Sequence, residues 1–150
     1  MIPIARPCVG QEEADAAARV ITSGMLASGL EVTQFEREFA DFTGTSNAVA
    51  TSNGTTALHM ALAALGIRHG DEVIVPSFTF IASATSVSMC GALPVMADIE
   101  ERTYCIDPES VLACITPKTK AVIGVHLFGQ PCDVQALSDI CTDHSLFFIE

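Results

Sequence analysis

The stretch Ser52-Asn-Gly-Thr-Thr-Ala-Leu-His-Met-Ala-Leu62 decides the fold. Asn47-Ala-Val-Ala-Thr51 enters it as a strand-like run, and an apolar helix pattern leaves it over 55–65, stopping at Gly66. A strand, a small polar turn and a helix place the backbone N–H groups of Gly54, Thr55 and Thr56 at a helix N-terminus. With the Thr hydroxyls and the positive helix end, these groups make an anion site suited to phosphate. Gly54 lets a ligand approach the backbone closely. A second reading competes: Ser52 or Asn53 serves only as the cap that every helix needs. The loops G-x-x-x-x-G-K-[ST] and G-x-G-x-x-G occur nowhere in the chain. Their absence weakens the NTPase and dinucleotide-dehydrogenase readings and leaves a cofactor carrying a single phosphate.

Outward from this stretch the pattern alternates. Helices are predicted over 11–23 and 31–42, the second with Phe35, Phe39 and Phe42 on one face for core or dimer packing. After the 55–65 helix come a strand over 72–76, a helix over 79–90, a strand over 93–98 and a helix over 108–115. A strand over 121–126, a helix over 134–143 capped by Asp133 and a strand over 146–149 complete the series. Counting 47–51, five short apolar strands separated by helices mean an α/β protein with a mainly parallel sheet. The last strand ends at Glu150, at its carboxyl end, where open parallel sheets hold their ligands. The sequence therefore reads as interrupted there.

Composition narrows the class. Of the 150 residues, 49% are apolar and 17% charged, which excludes disorder; the length fits one domain that buries roughly 70% of its extended-chain surface. The apolar share is high, so part of the surface is expected to meet a partner or further chain. A net charge of −11 with seven scattered Lys and Arg excludes a nucleic-acid backbone or an anionic membrane as partner. It does not exclude one phosphate bound by backbone groups. No basic, apolar leader opens the chain, and no apolar run is long enough to span a bilayer. The six cysteines are irregularly spaced, with no C-x-x-C. Buried free thiols in a cytoplasmic protein are expected rather than disulfides or a zinc site.

The second informative stretch is Val75-Pro-Ser-Phe-Thr-Phe-Ile-Ala82, which follows a strand at the same end of the sheet. Phe80 is the candidate to lie over a flat heterocycle; the competing reading makes it a core residue of an apolar helix. His126, at a strand's carboxyl end, either faces the pocket or bonds within its own loop, and stays outside the candidate set. Asp98 and Asp133 read as loop or cap residues, and Glu12, Glu13 and Asp15 as a solvated helix start.

Taken in order, these segments resemble the N-terminal part of the DegT/StrS-type nucleotide-sugar aminotransferases, which use pyridoxal 5′-phosphate (PLP). The matching features are Ile2-Pro-Ile4, Ser23-Gly-Met-Leu-Ala-Ser-Gly29, Val32 to Phe39, Ser52 to Leu58, Gly70 to Phe80, Gly91 to Val95 with Asp98, and His126-Leu-Phe-Gly129. The resemblance implies that residues 1–150 are the N-terminal portion of the PLP-binding large domain of a fold-type-I PLP-dependent transferase. In such enzymes the segment matching Gly54, Thr55 and Thr56 holds the cofactor phosphate, and the aromatic matching Phe80 stacks on the pyridine ring. Ser28-Gly29 matches a substrate-side loop.

The family continues, after a strand like 146–150, with an Asp for the pyridinium nitrogen, and later a phosphate-binding Ser and the Schiff-base Lys. Lys118 and Lys120, the only lysines here, match ordinary surface positions. The chain is therefore expected to carry no catalytic residue and to be inactive alone. For the intact protein the resemblance implies a homodimer that transfers an amino group from glutamate to a keto group of a nucleotide-linked deoxysugar. The product would serve cell-surface polysaccharide or antibiotic sugars. Two alternatives stay open: a PLP-dependent sugar dehydratase with His in place of the Lys, and a non-catalytic binding or dimerisation module.

Overall fold

The computed structural model describes residues 6–150, so the Ile2-Pro-Ile4 match lies outside the described residues. The chain forms two compact units, one running to Ala50 and the other from Thr51 to Glu150.

The first unit holds two helices. Helix α1 (Gln11–Ser23) begins where Glu13 Oε2 accepts the Gly10 N–H at 2.6 Å, a bond that holds the Glu13 carboxyl below its ordinary range. It ends at Gly24 with φ +74°, and α2 (Leu30–Thr43) ends at Gly44 with φ +70°, left-handed positions that glycine takes without strain. Phe35 and Phe39 pack with ring centroids 5.7 Å apart, yet both are about half exposed and Phe42 is 89% exposed. The core role foreseen for this face is therefore not realised within the chain; among the described residues of α2 only Ala40 is buried.

The second unit is a sheet of four strands, β1 (Glu72–Pro76), β2 (Leu93–Ala97), β3 (Thr119–Ile123) and β4 (Phe147–Ile149), in the order β2-β1-β3-β4. Every neighbouring pair is parallel. Four helices accompany it: α3 (Gly54–Ala64), α4 (Ala82–Met89), α5 (Pro108–Cys114) and α6 (Val134–Asp143). Strand pleating sends Val73 and Val75 to one face, where they meet Leu62 of α3, Val87 of α4, Ala121 and Ile123. Ile74 and Val122 face the other way, toward Val111 of α5 and Leu137 of α6. Burial on both faces is why these strands read as continuous apolar runs rather than alternating ones.

The expected α/β class holds, with one strand fewer. Residues 47–51 form no strand, although their sequence favours one. A strand exists only through a ladder partner, and this segment has none among the described residues; the Ala50 N–H instead donates to Glu36 Oε1 at 2.8 Å. Helix α4 also begins later than the predicted residue 79, leaving Ser77–Ile81 as a turn.

The winding matters for function. From β1 the chain moves outward to β2, then crosses back to lay β3 on the other side of β1 and β4 beyond it. The direction of winding reverses between β1 and β3, and in open parallel sheets that reversal opens a crevice past the carboxyl ends of the strands.

All six cysteines are free. Cys105, Cys132 and Cys141 are buried as expected, Cys90 and Cys114 are half-buried, and Cys8 is exposed. Burial pushes the thiols of Cys90, Cys132 and Cys141 up; at Cys132 the neighbouring Cys105 and Glu150 add to it. Among the described residues no helix is long and apolar enough to cross a membrane.

Gly124 sits at the end of β3 with no room for a side chain: a Cβ would lie 2.9 Å from the Phe148 ring and 3.1 Å from Cys132 Sγ. Gly124→Ala is expected to destabilise the protein by about 1–3 kcal/mol. An unchanged thermal-unfolding midpoint would sink this packing account. Near the ordinary thiol pKa of about 8.5, Cys132 and Cys141 are expected to resist iodoacetamide in the native state and to react in denaturant. Mass spectrometry of the labelled sites checks this, and rapid native labelling of either would contradict their burial.

Candidate functional site

At the winding reversal, the carboxyl ends of β1, β3 and β4 and the start of α3 border a cavity of about 580 Å³. Gly54 and Thr55 line it from α3, Thr79 and Phe80 from the turn after β1, and Gly124, His126 and Glu150 from the ends of β3 and β4.

Helix α3 starts at Gly54 because Asn53 caps it. Asn53 Oδ1 accepts the Thr56 N–H at 2.9 Å and the Thr56 hydroxyl at 2.8 Å. Of the three donors read from the sequence, Thr56 is thus committed to the cap, and it does not line the cavity. The N–H groups of Gly54 and Thr55 have no hydrogen-bond partner among the described residues. The cap reading holds for Asn53, and it leaves two donors of the first turn for something else.

Gly54 shows where that something could stand. Its φ is not in the left-handed region, so the backbone does not demand glycine there. Apart from its chain neighbours and its own helix backbone, no atom of the described residues lies within 4 Å of the position a Cβ would take. Open space in front of two unpartnered N–H groups at a helix N-terminus fits a phosphate-sized anion. Among the described residues no Lys or Arg lines the cavity, so an anion placed there would meet backbone dipoles rather than a cationic side chain.

Phe80 lies in the turn rather than on α4, and it is 73% exposed, so core packing does not account for it. The turn is closed by Thr79 Oγ1 and Ser83 Oγ, 3.1 Å apart. Gly54, Thr55 and Phe80 therefore share one cavity, and Thr56 stands behind them as part of the cap.

His126 also belongs to this cavity, and the candidate set omitted it. Its Nδ1 accepts the Cys132 N–H at 3.2 Å, and its Nε2 lies 3.0 Å from Glu150 Oε1. With Nδ1 accepting, the ring proton sits on Nε2 and is donated to the carboxylate. The imidazole thereby ties the loop after β3 to the end of β4. Its two sequence readings were not alternatives, since it bonds within its loop and lines the pocket as well. The signal was its place just past a strand's carboxyl end. Gly124 gave a similar signal, a glycine inside an apolar strand run marking close approach.

Other residues fall where the sequence put them. Asp133 caps α6 by accepting the Ala136 N–H at 3.0 Å, and Asp98 Oδ1 accepts the Ile99 N–H at 2.8 Å within its own loop. Ser28-Gly29 lies in the bend between α1 and α2, with Gly29 at the N-cap of α2. Lys118 and Lys120 stand at the far end of the sheet. The Lys118 carbonyl accepts the N–H of Glu72, the first residue of β1, roughly 15 Å of strand away from the cavity.

The sequence pattern of the DegT/DnrJ/EryC1/StrS aminotransferase family matches residues 7–150. The chain belongs to that family. A GDP-perosamine synthase from Vibrio cholerae is 47% identical over all of this chain, which spans 41% of that protein. The solved aminotransferase from Psychrobacter cryohalolentis is 46% identical, with a TM-score of 0.91 over 97% of this chain and 38% of its own. NtdA from Bacillus subtilis, solved with bound cofactor PMP, is 35% identical, with a TM-score of 0.88 over 92% of this chain and 32% of its own. The chain spans about 40% of the length of the curated relatives it matches. The likeness to solved aminotransferases accords with the α/β fold and four-stranded parallel sheet described above.

The two roles of the turn can be separated. Asn53→Ala is expected to cost about 1 kcal/mol of stability, whereas Asn53→Asp keeps the cap and sets a carboxylate beside the anion site. Thermal unfolding should therefore single out the Ala variant, and titration with inorganic phosphate should single out the Asp variant. An Asp variant that binds phosphate as well as the native protein does would sink the anion reading.

Proposed function

We propose that residues 1–150 are the N-terminal portion of the PLP-binding large domain of a nucleotide-sugar aminotransferase. The intact protein would transfer an amino group from glutamate to a keto group of a nucleotide-linked deoxysugar destined for a polysaccharide. One observation carries this reading. In a chain of this aminotransferase family, an unpartnered helix N-terminus and an exposed aromatic ring meet in one crevice at the winding reversal. The names of the relatives support it, one as a GDP-perosamine synthase and another as a spore coat polysaccharide biosynthesis protein. The PMP bound by NtdA supports the cofactor class.

In this reading the N–H groups of Gly54 and Thr55, with the Thr55 hydroxyl, hold the phosphate of PLP, and Thr56 keeps that turn rigid through the Asn53 cap. Phe80 covers one face of the ring and keeps water from it. Glu150, oriented by His126, forms the wall at the end of β4. The cofactor, once bound, supplies an electron sink for the carbon that gains or loses the amino group. No side chain of this stretch is assigned the covalent or proton-transfer role, because Lys118 and Lys120 lie at the opposite end of the sheet. Those roles fall to other parts of the protein, and these residues alone are not expected to transaminate.

The exposed face of Phe35, Phe39 and Phe42 supports a homodimer, since an apolar stripe left in water on α2 requires a cover. Six free thiols fit a reducing compartment, the cytoplasm.

The test uses full-length protein with PLP, glutamate and a panel of nucleotide-linked ketosugars, following 2-oxoglutarate and aminosugar by mass spectrometry. Neither product forming with any donor–acceptor pair would overturn the reaction. Gly54→Val is expected to abolish PLP retention by filling the phosphate space. Phe80→Ala is expected to weaken it roughly three- to tenfold, the worth of one aromatic stack. Unchanged retention in both variants would place the cofactor elsewhere.

A further inference from the structure

The turn that carries Phe80 holds two hydroxyls whose protons do not balance. Thr79 Oγ1 and Ser83 Oγ stand 3.1 Å apart, and each has the other as its only partner among the described residues. Two hydroxyls carry two protons, and the bond between them uses one. The other proton is left over, and which hydroxyl keeps it decides where it points.

Burial sets the direction. Both residues border the cavity, but Ser83 is 4% exposed, whereas Thr79 is half-buried. Ser83 stands on α4 among Ala82, Ala84, Ser86 and Val87, all of them buried. Its backbone is pinned on both sides: its N–H donates to the Phe80 carbonyl at 3.1 Å, and its carbonyl accepts the Ser86 hydroxyl at 3.2 Å. Were Thr79 the donor, the Ser83 proton would be left without an acceptor in that enclosed place, a loss that folded proteins avoid. With Ser83 as the donor its own proton is satisfied, and the surplus passes to Thr79, on the side where a ligand reaches it. A hydroxyl that accepts a hydrogen bond in this way also donates a stronger one.

Packing does not ask for this pair. Alanine fills the neighbouring positions 82 and 84, and it would suit the first turn of α4 at position 83 without a polar atom to satisfy.

We propose that Thr79 is a cofactor-binding donor aimed into the crevice, and that Ser83 is the positioning residue that turns its proton there; the proposal rests on the cofactor reading above. A hydroxyl proton takes an acceptor, and PLP carries anionic oxygens on its phosphate and on its ring. The contact comes from the turn after β1, in addition to the N–H groups of Gly54 and Thr55 and the ring cover of Phe80.

The experiment titrates full-length apoprotein with PLP, followed by absorbance, for the native chain, Thr79→Val, Thr79→Ser, Ser83→Ala and the Thr79→Val, Ser83→Ala double variant. Thr79→Val keeps the shape and loses the hydroxyl; it is expected to weaken PLP about tenfold, and Thr79→Ser to retain it. Ser83→Ala is expected to cost about threefold. The double variant should bind no worse than Thr79→Val alone, because Ser83 acts only through Thr79. Phosphate-free pyridoxal locates the acceptor. A Thr79→Val loss shared by pyridoxal, with a displaced absorption band, places it on the ring; a loss confined to PLP places it on the phosphate. Native-like PLP affinity in Thr79→Val overturns the proposal and leaves the cofactor reading standing. So does a Thr79→Val apoprotein that unfolds at lower temperature yet keeps its PLP affinity, which gives the proton to an acceptor within the protein. Losses that add in the double variant overturn the role of Ser83. A native protein that binds no PLP removes the cofactor reading and this proposal with it.

Discussion

The burial of β1 governs the second unit. Val73, Ile74, Val75 and Pro76 are inaccessible to solvent or nearly so, because the strand has a ladder partner on each edge and a helical layer on each face. A strand so enclosed is open only at its two ends, and the carboxyl end is the one that lies at the winding reversal. What leaves that end, the turn of Ser77–Ile81, must face outward, and the reversal of winding places it opposite the end of β3. The cavity follows from that arrangement before any side chain is chosen for chemistry.

Much of this was legible in the sequence, because the informative features are local. Caps, glycine stops and apolar periods set eight of the nine predicted elements outside 47–51 and 79–90 to within two residues of where they stand; only the end of β3 misses by three. The Ser52–Thr56 turn announced a helix N-terminus, and Asn53 performs the cap that was one of its two readings. What escaped was what depends on distant chain. Residues 47–51 have strand composition and no ladder partner among the described residues, and composition cannot supply one. Phe80 could be read as core or as wall, because an aromatic at a strand–helix junction has the same sequence in either role.

His126 shows a different limit. Its loop contact and its contact with Glu150 span 6 and 24 residues, and neither separation leaves a periodic trace. Thr56 fails in the other direction: the pattern offered three backbone donors without showing that one of them is taken by the cap. Local grammar identified the site, and the distribution of its hydrogen bonds required coordinates.

Gly124 carries a consequence for how such a site can diverge. With the Phe148 ring and Cys132 Sγ where a side chain would stand, the crevice wall at Gly124 consists of main chain. Main chain has the same amides in every variant, so drift at this position has nothing to alter except the fold itself. Selectivity among ligands must therefore be written in the surrounding walls, on residues such as Thr79, Phe80 and Glu150, whose side chains can be exchanged without disturbing the strand beneath. A protein arranged this way can change what it accepts while keeping the surface on which it holds it.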